Sequence, residues 1–382
     1  MKIGILTFHR SINYGAFMQS YALSKELQKR YSQHVVEIID FEYMRKHKHY
    51  KSYIYRFPFG IESFIQYKGF QRDLSSLPLS EECFITEDTS SLCEYIKKRY
   101  DVVIVGSDAV WTYQGKMPLD NPYWLFGDKL KTVIKISYAA SAFSTDFSAI
   151  SKEEKDVIRE RLSSFYYIGV RDSATKSFVD SLGLGKEVHI NHDPTFFLNP
   201  ADNVKLAKST LRKNFVFNNK KNISFMTRSL RGVNELRKEL HMKYNLLHFY
   251  RRDRQRTDLI DCRCRFMNNV SPLEWYNLYG QMILNFTNYF HGACLGIINH
   301  VPTIVVDDFQ QSYTSKYAQL MKDLGMDDRL FYNNNLKVEE LLECTRYCLT
   351  HREDEVVRIS NAIDIERRKS QSFFDALDSI LN

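Results

Sequence analysis

The sequence predicts a parallel α/β fold in two domains, and three observations lead to this prediction. The chain has 382 residues, which is the length of two ordinary domains. Short apolar runs rich in β-branched residues alternate with helical patterns, as in parallel sheets covered by helices. The runs are almost continuously apolar, which is typical of strands buried on both faces. We therefore expect two Rossmann-like domains facing a cleft, with ligands at the carboxyl ends of the strands.

The first domain is predicted to comprise residues 1–200. A helix follows its first strand from about Ala16, and the capping-box spacing of Ser151 and Glu154 predicts another helix that reaches about Phe165. Its predicted strands are Lys2–Phe8, Val35–Phe41, Asp101–Ser107, Val133–Ala140, Tyr167–Asp172 and Val188–Asp193.

The second domain, residues 201–382, repeats the same alternation. The polar stretch Asn199–Asn222 is the predicted boundary, and the last helical pattern, Glu353–Leu381, is expected to be able to pack back on the first domain. The predicted strands are Asn222–Thr227, Asn245–Tyr250, Met282–Phe286 and Val301–Asp307. The predicted helices are Ser229–His241, Pro272–Tyr279, His291–Asn299 and Thr314–Leu324.

One segment, Met44–Arg72, departs from this alternation by interleaving Lys and Arg with Tyr and Phe. It follows the second strand, where a plain α/β unit needs a single helix. Two interpretations remain open. The segment is either a solvated helical excursion whose aromatic rings pack on the domain, or a docking surface for an anionic polymer or a lipid-linked molecule at a membrane.

Composition narrows the class of protein. The net charge of +7 favours an anionic partner, and we expect no nucleic acid because no recognition motif accompanies the basic residues. Seven cysteines without zinc-site spacing favour free thiols, no metal and a reducing compartment. The expected location is the cytoplasm, with peripheral association at the inner face of a membrane left open.

Polar residues follow the first predicted strand, in Thr7–Gly15. We expect a helix to begin just beyond, so that Gly15 lets the backbone turn closely and the first amides of the helix meet an anion. His9 is expected to be exposed at this edge of the sheet. His9, Asn13 and Gly15 are therefore candidate anion-binding residues.

Two further strand ends carry candidates. Ser107, Asp108 and Trp111 suit a sugar, because a carboxylate binds hydroxyls and an indole covers a pyranose face. The alternative is that Asp108 caps a helix and Trp111 lies in the core. Arg171 ends another strand and suits a phosphate or carboxylate, unless it pairs with Asp172 within its loop.

The fourth strand end carries the strongest candidate. His291 is predicted in the first turn of a helix that follows Met282–Phe286, where the helix dipole favours an anion and Gly292 allows close approach. A bound phosphate would suit His291 to act as a general acid. Arg228 and Lys316 are additional cations near strand ends of this domain.

At these same positions the sequence resembles the polysaccharide pyruvyl transferase family. The motifs that carry the resemblance occur in family order from residue 3 to about residue 306. They are GILTFHRSINYGAFMQSYAL, VIVGSDAVW, ISYAAS, IGVRD, HDPTFFL and NFTNYFHGACLGIINHVPTIVV. The resemblance implies a GT-B-like fold and the transfer of a pyruvyl group from phosphoenolpyruvate to two hydroxyls of a sugar, with a ketal formed and phosphate released. The implied acceptor belongs to a cell-surface polysaccharide, such as a capsule or exopolysaccharide, or to its nucleotide- or lipid-linked precursor.

The resemblance also suggests roles for the candidate residues. The family's essential histidine falls on His291, which with Asp108 is the expected catalytic pair, and its donor arginine falls on Arg171. Other expected donor contacts are Arg228, Lys316, His9, Asn13, Gly15 and Gly292. The expected acceptor contacts are Trp111, Ser107 and Tyr289.

One departure from the family pattern affects the donor site. Many members have an arginine two residues before the histidine, where this chain has Tyr289, so a second donor cation is expected from Arg228 or Lys316. No cofactor is expected. The alternative hypotheses are a glycosyltransferase of the same fold that uses a nucleotide sugar, and a glycan-binding protein without catalytic activity.

Overall fold

The computed structural model describes residues 1–52, 60–113, 121–143, 145–227, 233–249, 263–307 and 315–382. These residues form two compact units. The first unit comprises Met1–Ser52, Leu74–Phe197 and Arg367–Asn382. The second comprises the described residues of Tyr53–Asp73 and Leu198–Glu366.

Among the described residues, each unit contains one sheet, and every strand pair in both sheets is parallel. The strands of the first unit are β1 Lys2–Leu6, β2 Val35–Glu42, β3 Leu79–Ile85, β4 Val102–Val105, β5 Ile134–Ala140, β6 Phe165–Val170 and β7 Val188–Ile190. Those of the second are β8 Asn222–Met226, β9 Asn245–His248, β10 Cys264–Phe266, β11 Met282–Thr287, β12 Thr303–Asp307 and β13 Leu330–Tyr332. The prediction of two parallel-sheet α/β domains is confirmed.

The spatial order of the strands determines which loops lie together. It is β3-β2-β1-β4-β5-β6-β7 in the first unit and β10-β9-β8-β11-β12-β13 in the second. Because all strands of a sheet run the same way, the loops that follow β1, β4, β6 and β7 share one edge of the first sheet. The carboxyl ends of β8, β11 and β12 share the corresponding edge of the second sheet.

Helices connect these strands along the chain. They are α1 Tyr14–Arg30, α2 Met44–Ser52, α3 Gly60–Leu74, α4 Ser90–Arg99, α5 Lys152–Ser163, α6 Ser173–Ser181, α7 Val204–Lys213, α8 Val233–His241, α9 Pro272–Tyr279, α10 Phe290–Ile298, α11 Lys316–Asp323, α12 Val338–Thr350, α13 Arg352–Arg368 and α14 Gln371–Leu381. The capping box predicted at the start of α5 is present, since the Ser151 side chain accepts from Glu154 N and the Glu154 side chain accepts from Ser151 N.

The structure bears on two expectations about the chain's organisation. The two units divide between Phe197 and Leu198, just before the predicted boundary stretch Asn199–Asn222. This stretch contains α7, which begins where the Asn203 side chain caps Leu206 N. The segment Met44–Arg72 is not one excursion from the first domain, because α2 belongs to the first unit and α3, up to Asp73, belongs to the second.

The C-terminal helix α14 belongs to the first unit and is fixed there by side chains of α1 and β6. Tyr31 donates a hydrogen bond of 2.7 Å to Asp378, and the Arg30 guanidinium lies 3.7 Å from the ring centre of Phe374. Burial and the Asp378 carboxylate raise the pKa of the Tyr31 phenol. The end of the chain is therefore part of the first unit's structure.

Among the described residues, no helix combines the length and apolar character needed to cross a bilayer. Within those same ranges, no three His, Cys, Asp or Glu side chains come close enough together to hold a metal ion.

Candidate functional site

The loop after β1 is built around a buried carboxylate, Asp40. Asp40 accepts a hydrogen bond of 2.9 Å from His9 Nε2 and a two-point contact from the Arg10 guanidinium. Burial alone would raise the pKa of Asp40, but these hydrogen bonds and charges hold that pKa well below its ordinary value. The expectation that His9 is exposed is wrong: it is fully buried, and its other ring nitrogen, Nδ1, lies 3.1 Å from the carbonyl of Thr7.

Asn13 and Gly15 lie at the start of α1. Asn13 is the N-cap, and its side-chain oxygen accepts from Gly15 N at 2.9 Å and from Ala16 N at 3.4 Å. The helix begins at Tyr14, so Gly15 is a helical residue and does not make the turn expected of it. Two of the amides expected to meet an anion are therefore satisfied by Asn13.

The loop after β4 approaches β5 too closely for an ordinary side chain. A Cβ on Gly106 would lie 2.2 Å from the carbonyl oxygen of Tyr138, and Gly106 has φ +110°. Ser107 is fully buried, and its carbonyl accepts a hydrogen bond of 3.0 Å from the Thr7 hydroxyl. The next residue, Asp108, has φ +80° and begins no helix, so it is not a helix cap.

Arg171 brings the ends of three strands together. Its Nη1 lies 3.1 Å from Asp193 Oδ2, at the end of β7, and 3.8 Å from Asp108 Oδ1, after β4. Burial would lower the pKa of Arg171, but Asp193, Asp108 and Asp172 outweigh it and raise that pKa. Asp172 also caps α6 through Thr175 N. Arg171 is therefore buried in an ion-pair network rather than paired with Asp172 alone.

Trp111 lies in the core of the first unit. It is 2% exposed, its Nε1 donates a hydrogen bond of 2.8 Å to the carbonyl of Tyr123, and its ring stacks on Trp124 at 4.8 Å. This agrees with the interpretation of Trp111 as a core residue, because an indole that covers a sugar needs an open face.

A cavity of about 770 Å³ lies next to the β4 loop within the first unit. The β4 loop contributes Ala109 and Trp111, and α2 contributes Arg45, Lys46 and His49. The Lys46 ammonium lies 3.9 Å from the ring centre of Phe8, which also lines the cavity. Burial lowers the pKa of Lys46, while the charges of Asp108 and Glu42 act against this shift.

In the second unit, the helix after β11 begins as predicted. Tyr289 is the N-cap of α10, and His291 lies in its first turn. A Cβ on Gly292 would lie 2.6 Å from Thr287 Oγ1, and one on Gly296 would lie 2.4 Å from Asn285 Nδ2. The two glycines therefore allow α10 to pack directly on β11, which fixes where His291 stands.

Lys316 lies at the adjacent strand end, in the first turn of α11 after β12. Its ammonium is 5.4 Å from the ring centre of Phe290, and the ring of His291 meets the same phenyl ring edge-on at 5.4 Å. Tyr317 donates a hydrogen bond of 2.6 Å to the carbonyl of Asn288, which ties the start of α11 to the β11 loop. The structure thus brings His291 and Lys316 to one edge.

The other predicted residues are distributed as follows. Arg228 lies outside the described residues. Tyr289 is partly exposed beside His291. Sequence reasoning missed three residues of the first unit. Asp40 binds His9, Asp193 pairs with Arg171, and Lys46 lines the cavity. Asp193 is the last residue of the predicted strand Val188–Asp193, which follows the strand of Arg171 in the sequence, so the search for polar residues at strand ends could have found it.

Several solved structures share the fold of this chain. A glycosyltransferase from Rickettsia africae aligns with a TM-score of 0.57 at 12% identity, over 98% of each chain. The UDP-GlcNAc 2-epimerase from Neisseria meningitidis aligns with a TM-score of 0.56 at 11% identity, over 99% of this chain and 100% of its own. The E. coli ADP-heptose lipopolysaccharide heptosyltransferase II aligns with a TM-score of 0.50 at 12% identity, over 92% of this chain and 100% of its own. The fold is GT-B-like.

A comparison with curated proteins gave no match. Comparison with models of protein families gives a more specific result than the shared fold. The model of the polysaccharide pyruvyl transferase family matches residues 13–308, which include the β4, β6 and β11 loops described above. The chain therefore belongs to the polysaccharide pyruvyl transferase family, a family of enzymes.

Proposed function

We propose that this enzyme transfers the pyruvyl group of phosphoenolpyruvate to two hydroxyls of a sugar in a cell-surface polysaccharide or its precursor. The observation that carries the proposal is the position of His291, in the first turn of α10 and beside Lys316, in a chain of the pyruvyl transferase family. A helix start, a histidine and a lysine suit a donor with a carboxylate and a phosphate.

The donor binds at the β11–β12 edge of the second unit. Lys316 and the first amides of α10 receive its anionic groups, and Lys316 takes the place of the family arginine that is Tyr289 in this chain. Gly292 lets α10 pack against Thr287, so that the first amides of the helix are held where the donor binds. Arg228 follows the adjacent strand β8 in the sequence and is a further donor cation in this proposal.

The reaction adds two hydroxyls to one carbon. His291 gives a proton to the methylene carbon of phosphoenolpyruvate, which becomes a methyl group, and the first sugar hydroxyl bonds to the neighbouring carbon. The second hydroxyl then bonds to the same carbon as the carbon–oxygen bond to phosphate breaks. Of the two hydroxyl protons released, one restores His291 and the other leaves with phosphate, so atoms and charges balance.

The acceptor binds in the first unit. Asp108 follows β4, next to the cavity, and its carboxylate accepts hydrogen bonds from sugar hydroxyls. The cations of α2 that line the cavity suit the phosphates by which a nucleotide or lipid carrier is joined to the sugar. Arg171 and Asp193 position the Asp108 carboxylate and take no part in donor binding in this proposal.

Two measurements test the proposed donor. Phosphoenolpyruvate at about one hundred times its Kd should stabilise the protein by roughly 2.7 kcal/mol in a thermal-unfolding assay. With a panel of nucleotide- and lipid-linked sugars, the enzyme should release phosphate from phosphoenolpyruvate in an amount equal to the ketal formed.

The same panel separates the other hypotheses. Release of a nucleotide from a UDP- or GDP-sugar, without consumption of phosphoenolpyruvate, would identify a glycosyltransferase. Saturable sugar binding with no product of either kind would identify a glycan-binding protein. Both results would contradict the proposal.

A further inference from the structure

An exposed apolar surface with flanking cations lies on the second unit, outside the residues assigned to the reaction. Phe215 and Phe217, just beyond α7, are 69% and 71% exposed. On α3, Ile61 is 79% exposed, and Phe64 and Ile65 are also exposed. Single exposed apolar side chains are ordinary, but a group of them on one surface marks an interaction site. We call this group, with the helices α7 and α3, the α7–α3 face.

Hydrogen bonds join the two parts of the α7–α3 face. Asn214, at the end of α7, donates to the carbonyl of Asn269 at 2.9 Å and accepts from its amide at 2.9 Å. The neighbouring Asn268 donates a hydrogen bond of 2.9 Å to Glu62 on α3. Asn214, which precedes Phe215, is thus linked through Asn269 and Asn268 to α3, the helix that carries Phe64.

A groove of about 330 Å³ runs along this junction. Phe64, Ile65 and Lys68 line it from α3, and Lys213 and Asn269 line it from the other side. The groove therefore joins the exposed Phe64 and Ile65 of α3 to Lys213, the last residue of α7, two residues before Phe215.

The charge that α7 contributes to the α7–α3 face is positive, although Lys213 is paired with Glu274 in the groove. The sequence of α7, VKLAKSTLRK, contains four basic residues and no acidic residue. Lys205, Lys208 and Arg212 are exposed, and their spacing places them on one side of the helix. Lys68 adds an exposed cation from α3.

The conformation of Phe215 sets it apart from an ordinary surface residue. It has φ +62°, at the position after a helix that glycine usually occupies, because a Cβ is strained there. Its ring is largely exposed, so burial does not offset this strain. Its ring meets that of Phe217 edge-on at 6.2 Å, and binding to an apolar layer would bury both rings.

We propose that the α7–α3 face binds the surface of a membrane that contains anionic phospholipids. Phe215, Phe217 and Ile61 enter the interfacial layer, and the cations of α7 contact lipid phosphates. A second copy of this chain is a poorer partner, because pairing this face with itself would bring the same cations together.

Vesicle binding of the full chain tests the proposal. At low salt the protein should float with vesicles of phosphatidylcholine and phosphatidylglycerol, should bind phosphatidylcholine vesicles much more weakly, and should detach as salt is raised. Lys205→Ser, Lys208→Ser and Arg212→Ser together should weaken binding by roughly fivefold per residue. Phe215→Ser with Phe217→Ser should weaken it about tenfold or more.

Matched controls use exposed residues from elsewhere in the chain. Val357→Ser with Ile365→Ser removes two exposed apolar side chains of α13, and Lys97→Ser, Lys98→Ser and Lys131→Ser remove three exposed lysines of the first unit. Neither control should change vesicle binding.

Three results would overturn the proposal. These are absence of binding to the anionic vesicles, equal loss of binding in the controls, or light scattering that shows a dimer which Phe215→Ser with Phe217→Ser converts to a monomer. The last result would show that the α7–α3 face binds a second copy instead. Since the assay needs no substrate, its outcome is independent of whether the chain transfers pyruvate.

Discussion

The two sheet edges that carry the candidate residues differ in how their charged groups are held. At the edge of the first unit, Arg10 binds Asp40, and Arg171 lies between Asp193 and Asp108. At the edge of the second unit, His291 and Lys316 both contact the ring of Phe290. Buried ion pairs characterise the first edge, and basic groups oriented by aromatic rings characterise the second.

In our proposal, the charged residues at these two edges have distinct uses. A buried arginine paired with carboxylates stabilises the arrangement of its loops, and the loss of either partner leaves a charge uncompensated. A histidine and a lysine set on an aromatic ring at a helix start suit an anionic substrate. This contrast supports the proposal that donor chemistry belongs to the second edge.

Replacement of His291 should have the largest effect on activity. In His291→Gln, kcat should fall by roughly two to four orders of magnitude, because the general acid is lost. The free energy of unfolding should change little, since the side chain is only half-buried. Phosphate release and chemical unfolding measure the two effects.

A histidine elsewhere in the second unit provides the control. His351 is exposed between α12 and α13, and His351→Gln should keep the wild-type rate. If His291→Gln kept the wild-type rate, the second edge would have no part in the reaction, and the comparison between the two edges would be wrong.

Replacement of Arg171 should have the largest effect on stability. Arg171→Met leaves Asp193 buried without its cation, and the free energy of unfolding should fall by about 3–5 kcal/mol. Arg171→Met with Asp193→Leu should recover part of this loss, because both charges are then absent. Urea unfolding followed by circular dichroism measures the changes.

The same variant tests the role that the family resemblance implies for Arg171. If Arg171→Met unfolds like the wild type but binds phosphoenolpyruvate much more weakly, Arg171 is a donor ligand. The first edge would then serve donor binding, and the contrast between the two edges would be wrong.

The pH dependence of the free energy of unfolding tests whether a buried histidine at the first edge is protonated on unfolding. Burial lowers the pKa of His192, next to Asp193, to about 4, while its ordinary pKa is 6.5. Between these values the unfolded chain binds more protons than the folded chain, so stability is lost as the pH falls from about 6.5 to about 4.

At pH 5 the expected loss from His192 is about 2 kcal/mol relative to pH 7. His192→Phe should flatten this part of the pH profile, as measured by urea unfolding at both pH values. An unchanged profile in His192→Phe would show that other groups cause the acid sensitivity.

A smaller effect is expected from closing the space at the start of α10. A Cβ in Gly292→Ala would lie 2.6 Å from Thr287 Oγ1 and should lower the free energy of unfolding by about 1–3 kcal/mol. Displacement of the first turn should also lower the rate of phosphate release. Thr287→Ala in the same chain should partly restore both, and failure to do so would mean that the clash is not the cause.

The sequence predicted the elements whose signals are local. The helix Pro272–Tyr279 has the predicted bounds because Ser271 and Glu274 form a capping box and Pro272 occupies its first position. The strand β3, Leu79–Ile85, was missed because its polar residues face solvent at a sheet edge and break the apolar pattern.

The site was predicted less completely, because its partners are distant in sequence. His9 is buried because Asp40, 31 residues away, accepts its hydrogen bond, and no local pattern contains that contact. Likewise, the place of Lys46 at a cavity depends on how α2 packs on the first unit. The position of His291 was predicted because a strand, a short loop and a helix start are consecutive in sequence.

The most direct test of the proposed reaction follows the reacting carbon itself. Phosphoenolpyruvate labelled with ¹³C at its second carbon is incubated with the enzyme and a panel of nucleotide- and lipid-linked sugars, and the label is followed by NMR. We predict that the vinyl signal is replaced by that of a ketal carbon as an equal amount of phosphate appears, and that His291→Gln abolishes the change. A label that stays in phosphoenolpyruvate while a nucleotide is released from a nucleotide sugar would contradict the account.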